Sequence, residues 1–277
     1  MGPQGPPARP PPGQGARRGL PGGARLRQRR LHQLRRRPAL LLFAAAERQQ
    51  RLDGTAWRAA SLAVRAIEEH WRKPDAGVWE LDDRLWTHSR LACVAGLRAL
   101  AAAAPRHPLA RTCTSLADTV LSATTATGLH PAGHWQRAPG DTGVDAALLL
   151  PAVRGALAVG DPRNRATLGA RRRELARDHF VYRFRHDARP LEQAEGAFLM
   201  CGFVMALAEH RQGRPIEAHR WFERNRGACG TSHLYAEEFD IAQRQMRGNL
   251  PQAFVHALLL ETAAGLAREP GTRGTHR

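Results

Sequence analysis

Lysine is almost missing from this chain: Lys73 is the single lysine among 42 basic residues. Positive charge carried nearly all by arginine is as much a mark of a GC-rich coding sequence as of selection for phosphate contact, so the net charge of +17 does not by itself name a nucleic-acid partner. The distribution weakens that partner further. Residues 1–37 hold ten arginines and no acidic residue, which is more than half of the excess, and they contain no Phe, Trp or Tyr to interleave with the charge as folded RNA binders do. Cysteine pairs are also lacking. Cys93, Cys113, Cys201 and Cys229 lie far apart with no CxxC, which argues against a disulfide framework or a zinc site and fits a reducing, cytoplasmic location. No apolar run reaches the roughly 20 residues that span a bilayer, so no membrane partner is expected. A phosphate-cradling glycine loop, a serine nucleophile elbow and a dinucleotide fingerprint are absent as well. His130 and His134 flank Pro131 and Gly133 and so cannot share a helix face, and no third ligand adjoins them; no metal site is expected there.

What is present is alanine and leucine in abundance, with few β-branched or aromatic residues, a composition that favours helix. Residues 1–37 are too rich in Pro, Gly and Arg to bury a core, and they read as a disordered tail or as the product of a misread frame; an apolar signal region is missing from them. Residues 269–277 read as a second disordered tail. Between them, helices are expected over Ala39–Gln50, Thr55–Arg72, Thr87–Ala104, Leu109–Thr125, Val144–Leu157, Pro162–Asp178, Leu191–Gln212, Pro215–Arg226 and Pro251–Arg268, with Thr87 as an N-cap and a short extended piece at Phe180–Arg185. Apolar helices alternate with amphipathic ones: Val144–Leu157 against Pro162–Asp178, and Leu191–Gln212 against Pro215–Arg226. Two concentric layers of helices would give that pattern. A helical bundle or a repeat array would give it too.

Two irregular stretches place glutamates between helices. The first is Pro74-Asp75-Ala76-Gly77-Val78-Trp79-Glu80; the second is Tyr235-Ala236-Glu237-Glu238-Phe239-Asp240. Glycosidic cleavage uses two carboxyl groups, one donating a proton to the leaving oxygen and one activating water or attacking. Trp79 beside Glu80 offers a flat face on which a sugar can stack. Adjacent side chains diverge, so one of Glu237 and Glu238 at most is expected to face a shared pocket. In Tyr182-Arg183-Phe184-Arg185-His186-Asp187, alternation sends the arginines to one side and the aromatics to the other, and an arginine fork can hold sugar hydroxyls. An ion pair with Asp187 would explain Arg183 without a ligand, and a place at a helix N-terminus would explain Glu195.

Taken together these stretches resemble glycoside hydrolase family 15, the glucoamylase, glucodextranase and trehalase-like family, in consistent order from Ala39 to Ala267. Asp75–Glu80 resembles the segment with the general acid, which implies that role for Glu80. Trp86-Thr87-His88-Ser89-Arg90 resembles the segment that follows. Tyr182-Arg183-Phe184 resembles a stretch with a substrate-binding arginine, and Glu195-Gly196-Ala197-Phe198-Leu199 the helix after it. Ala236-Glu237-Glu238-Phe239-Asp240 resembles the segment with the general base, which implies that role for Glu237. Gly248 to His256, with Gln252 inside it, resembles the closing motif. The resemblance implies an all-α fold, a partial (α/α)6 toroid of the six-hairpin glycosidase type over residues 38–268. It implies hydrolysis of an α-glucoside or trehalose with inversion, with Trp79, Trp86, Arg183, Glu195 and Gln252 at the substrate and no metal or organic cofactor. Inversion would set the two carboxyls roughly 6.5–9.5 Å apart. Family members are longer than this chain and carry N-terminal hairpins that nothing here matches. A chain without them is expected to act weakly, to need a partner, or to be a non-catalytic helical scaffold of the same descent.

Overall fold

The computed structural model describes residues 39–186 and 190–268. The two expected tails and Asp187 lie outside the described residues. The fold is all-α with short strands. Helix α1 covers 39–47, followed by α2 (Gly54–His70), α3 (Thr87–Ala103) and α4 (Leu109–Gly128). Asp53 caps α2 by accepting from the Ala56 N–H at 2.7 Å, and the stripe Ala60, Ala63, Val64 and Ile67 is buried. Helix α3 is buried along most of its length, including Ser89, Arg90 and Leu91 as well as Leu97 and Leu100. It pairs antiparallel with α4, and the two approach so closely that a Cβ on Gly128 would lie 2.9 Å from the Thr87 hydroxyl oxygen. That contact corrects one expectation: Trp86 stands at the cap position, and Thr87 is the first helical residue, its hydroxyl buried between helices rather than capping.

The second half is built around a buried helix, α8 (Leu199–Arg211), paired antiparallel with α9 (Pro215–Arg226). A Cβ on Gly202 would overlap the Asn225 side-chain amide, so glycine is what lets α8 and α9 meet there. Helix α10 (Ala253–Leu266) runs beside α8, with the Thr262 hydroxyl 3.4 Å from the Phe203 carbonyl. The apolar-inside, amphipathic-outside pairing expected for the second half thus holds for α8 and α9. Among the described residues no helix is long and apolar enough to cross a membrane.

Several expected helices lose two to four residues at their ends, and three are cut or broken by a turn or strand. Val144–Leu157 is helical only from Ala146 to Val153, as a 3-10 turn (Ala146–Leu149) running into α5 (Leu150–Val153). Asp145 caps it, Pro151 has no N–H to extend the ladder backwards, and Gly155 at φ 82° ends it. The segment sits between the two cores: Leu148 packs with α2–α4 and Leu149 with α8. Pro162–Asp178 is α6 only to Glu174, because Ala176–Arg177 (β1) pairs with Phe180–Val181 (β2) through Asp178 and His179 at φ 47° and 59°, a tight left-handed hairpin turn. Leu191–Gln212 is interrupted. A short α7 (Leu191–Ala194) stops at Glu195, and Ala197–Phe198 (β3) pairs with Glu238–Asp240 (β4), which pairs with Gln245–Arg247 (β5). The Gly196 N–H is taken by the Glu238 carboxylate at 2.9 Å, so a distant strand overrides local helix preference.

Candidate active site

The loop between α2 and α3 is stiff for local reasons. Asp75 is buried and its Oδ1 accepts from the Gly77 N–H and the Ser89 hydroxyl, both at 2.8 Å, while its backbone pairs with Arg84. Gly77 turns at φ 70° over the Trp86 indole, which a Cβ would meet at 3.0 Å. The turn closes with the Leu81 N–H on the Ala76 carbonyl at 2.8 Å, and puts Glu80 at φ 53°, exposed at the tip. A non-glycine residue in that region costs energy and persists where its surroundings hold it.

Trp79 points the other way. Its Nε1 donates to Asp145 Oδ1 at 2.9 Å, its ring meets Phe198 edge-on at 5.5 Å, and the Arg183 guanidinium lies 5.6 Å from its centre. Arg183 is also 4.8 Å over Phe198. Its Nε donates to Glu195 Oε2 at 2.8 Å and its Nη2 to the same oxygen. His186 Nε2 stands 3.3 Å from that oxygen. Arg183 is held above its ordinary pKa: burial works against the charge, but the Glu195 bonds and the negative charge around it win. Glu195 is therefore the partner of Arg183, rather than a residue at a helix N-terminus, and its Oε1 is buried without a hydrogen-bond donor. Tyr182 and Phe184 are buried and Arg185 is exposed, as alternation predicts.

The second glutamate stretch reaches the same neighbourhood through strand pairing. Glu238 faces Phe198 across the β3–β4 ladder and accepts from Gly196. Burial pushes its carboxyl pKa up, with the negative charges of Glu195 and Glu237 adding to it and the Gly196 N–H and Arg183 opposing. Glu237 is half-buried and turned toward Asn249, whose Nδ2 donates to Glu237 Oε2 at 3.0 Å; a Cβ on Gly248 would press on the same carboxylate at 3.0 Å. Its backbone is tied on both sides, by its N–H to the Asn249 carbonyl and by its carbonyl to the Leu199 N–H. The divergence of the two adjacent glutamates follows from this: one serves Asn249, the other Gly196.

Of the expected residues, Trp79, Arg183 and Glu195 form one cluster, with Glu80 next to it in the chain. Trp86 is buried beneath Gly77, its Nε1 on the Asp82 carbonyl and Arg137 5.4 Å from its ring. It lines, with Trp79, His88, Arg137, Asp145 and Leu148, a small open hollow under the loop. Gln252 sits at the start of α10, capping it through Oε1 toward the Phe254 N–H, with its own N–H on the Tyr235 carbonyl at 2.9 Å. Sequence reasoning missed Asp145, Arg137, Phe198 and Asn249. Asp145 falls inside the expected helix Val144–Leu157, and the structure makes it the cap of a shorter one. Among the described residues, no group of three or more His, Cys, Asp or Glu is placed to hold a metal ion.

Paired helices, the buried α8 against the amphipathic α9, place this fold in the helical-hairpin class. The sequence profile of Glycosyl hydrolases family 15 matches residues 37–264, and the chain belongs to that family. It is 29% identical over 234 residues to a trehalase of Mycolicibacterium smegmatis, covering 82% of this chain and 35% of that one. It is 30% identical over 230 residues to a trehalase of Mycobacterium tuberculosis, covering 80% and 34%. Thus the chain spans about a third of the length of these curated relatives. In fold it is similar to a glycosidase solved in complex with glucose, with a TM-score of 0.72 at 21% identity over 82% of this chain and 64% of the other. It is also similar to a bacterial glucoamylase complexed with acarbose, with a TM-score of 0.67 at 16% identity over 81% and 39%.

Proposed function

We propose that this chain hydrolyses an α-glucosidic bond with inversion, Glu80 protonating the glycosidic oxygen and Glu237 deprotonating a water on the opposite face of the sugar. The observation that carries the proposal is the cluster at Trp79: the ring beside the acid packs against Phe198 and Arg183, Glu195 orients Arg183, and β3–β4 pairing joins them to the second glutamate stretch. Trp79 walls the sugar and Arg183 holds its hydroxyls. Trp86 supports the loop from below, while Glu195 and Gln252 complete the polar lining. No cofactor takes part in the step. The trehalase relatives favour trehalose among the substrates, with maltose and maltooligosaccharides next. The location proposed is cytoplasmic, without nucleic-acid or membrane partners.

Glu80→Gln and Glu237→Gln, each assayed on trehalose, maltose and maltooligosaccharides, test the assignment. Removing either proton-transfer group is expected to cost about 10²–10⁴-fold in kcat. The first-formed sugar is expected in the inverted anomeric configuration by NMR. Hydrolysis unchanged from wild type in both variants, or a retained anomer, refutes the mechanism. A second reading, a non-catalytic helical scaffold of the same family, is favoured by the open apolar side of α10, where Phe254 and Leu260 are each 70% exposed. A wild-type chain inactive on every one of these substrates supports it.

A further inference from the structure

We propose that Asp145 is the positioning residue of the Trp79–Glu80 turn, one buried carboxylate that ties the acid-bearing loop to the segment carrying Arg183. The catalytic consequence rests on the glycosidase reading above; the positioning itself does not. Asp145 is 4% exposed. Its Oδ1 accepts two bonds, from the Ala147 N–H at 2.8 Å and from Trp79 Nε1 at 2.9 Å. Its backbone bridges to Phe184, and the next residue, Ala146, donates its N–H to the Arg183 carbonyl at 2.8 Å. The residue whose side chain grips the ring beside Glu80 thus sits in the backbone bridge that holds the Arg183 segment.

A helix cap alone does not explain this residue. Serine, threonine or asparagine would cap Ala147 without burying a charge, and an uncompensated buried carboxylate costs several kcal/mol. The structure offsets that cost in part: burial pushes the carboxyl pKa up, and the Trp79 and Ala147 bonds and the charges of Arg137 and Arg171 oppose it. Arg171 is fully buried with Nε on the Asp145 carbonyl at 2.8 Å, and Arg137 Nε lies 3.8 Å from Asp145 Oδ2. An ionised acceptor makes shorter and stronger bonds than a neutral one, and here it makes two through one oxygen. The strained turn is what needs them. Gly77 and Glu80 both lie at positive φ, and the Asp75 neck and the Trp86 floor are local to the loop. The indole bond is the one that crosses to Asp145 from 66 positions away.

The test uses the full chain and separates positioning from folding. Asp145→Asn keeps an oxygen for Trp79 and Ala147 but takes one counter-charge from Arg137 and Arg171; it is expected to melt lower than wild type while kcat stays within a few-fold. Asp145→Ala removes the acceptor and is expected to lose about 100-fold in kcat with little change in KM, the cost of a misplacement on the order of 1 Å. In a Trp79→Phe background, Asp145→Ala is expected to cost no further activity, because the bond is already gone. An Asp145→Ala loss of the same size in both backgrounds, or Asp145→Asn as inactive as Asp145→Ala, overturns the proposal. Hydrogen exchange at the Trp79 indole N–H and the Glu80 amide reads the same bond without any substrate. If the wild type hydrolyses nothing, or Asp145→Ala does not fold, Trp79→Phe decides. Faster exchange at the Glu80 amide than in wild type supports the proposal, and unchanged exchange there overturns it.

Discussion

Gly248→Ala tests how tightly the proposed base must be held. Gly248 lies at φ 76°, and a Cβ there would sit 3.0 Å from both Cβ and Oε2 of Glu237. Carbon atoms prefer about 3.5–4.0 Å, so something must yield by roughly 0.5 Å. The carboxylate end can swing, but the Glu237 Cβ is fixed by the backbone bonds from Glu237 to Asn249 and from Leu199 to Glu237. The strand must therefore shift, and the Asn249 bond to Oε2 shifts with it. Alanine at positive φ adds a stability cost of about 1–2 kcal/mol. In a domain of this size that lowers the melting temperature by about 2–8 °C. A misplacement of about 1 Å costs about 100-fold, so half of it is expected to cost about tenfold in kcat. KM is expected to hold, since the base acts on water rather than on the bound sugar. The assay is glucose release at a temperature below both melting transitions, beside thermal unfolding of each protein. A Gly248→Ala chain with wild-type kcat and the expected loss of melting temperature refutes the argument: the backbone will have been strained without disturbing the base.

Two further substitutions probe the scaffold. Gly202→Ala forces a methyl group into the buried Asn225 amide, which donates to the His179 and Trp221 carbonyls; a loss of about 1–3 kcal/mol in chemical denaturation is expected, and a loss under half of that means that α8 and α9 separate easily. His134 is buried, and burial first, then the charges of Arg171, His130 and Arg173, lower its pKa from 6.5 to about 4. The unfolded chain binds the proton more readily, so stability is full above pH 6.5 and declines as pH falls toward 4. His134→Gln is expected to decline less across that window, and urea midpoints that run parallel for the two proteins refute it.

The helices that the sequence shows are those whose boundaries are written locally. Asp53 ahead of α2, Pro105 and Pro108 between α3 and α4, and Pro215 at the head of α9 act through neighbours within a few positions, so α2, α3, α4 and α9 fall close to their expected spans. The failures share the opposite property. Leu191–Gln212 carries two glycines, yet α8 runs unbroken through Gly202; what breaks the span at Gly196 is a strand more than forty positions away, whose Glu238 takes the Gly196 N–H. Arg183 shows the same thing in the site: it binds Glu195, because the break at Glu195 turns that carboxylate back onto it. Asp145 goes furthest. Its local role, capping Ala147, is the part a sequence can show, and it is the lesser part. The role that bears on chemistry is its bond to Trp79, which exists only once α2–α4 and the 146–153 segment have packed and the loop at Gly77 has folded over Trp86. The glutamates and aromatics proposed to touch a sugar are legible as residue types at turns. The groups proposed to aim them are legible only as contacts, as with the Asp145 carboxylate buried against the Trp79 indole.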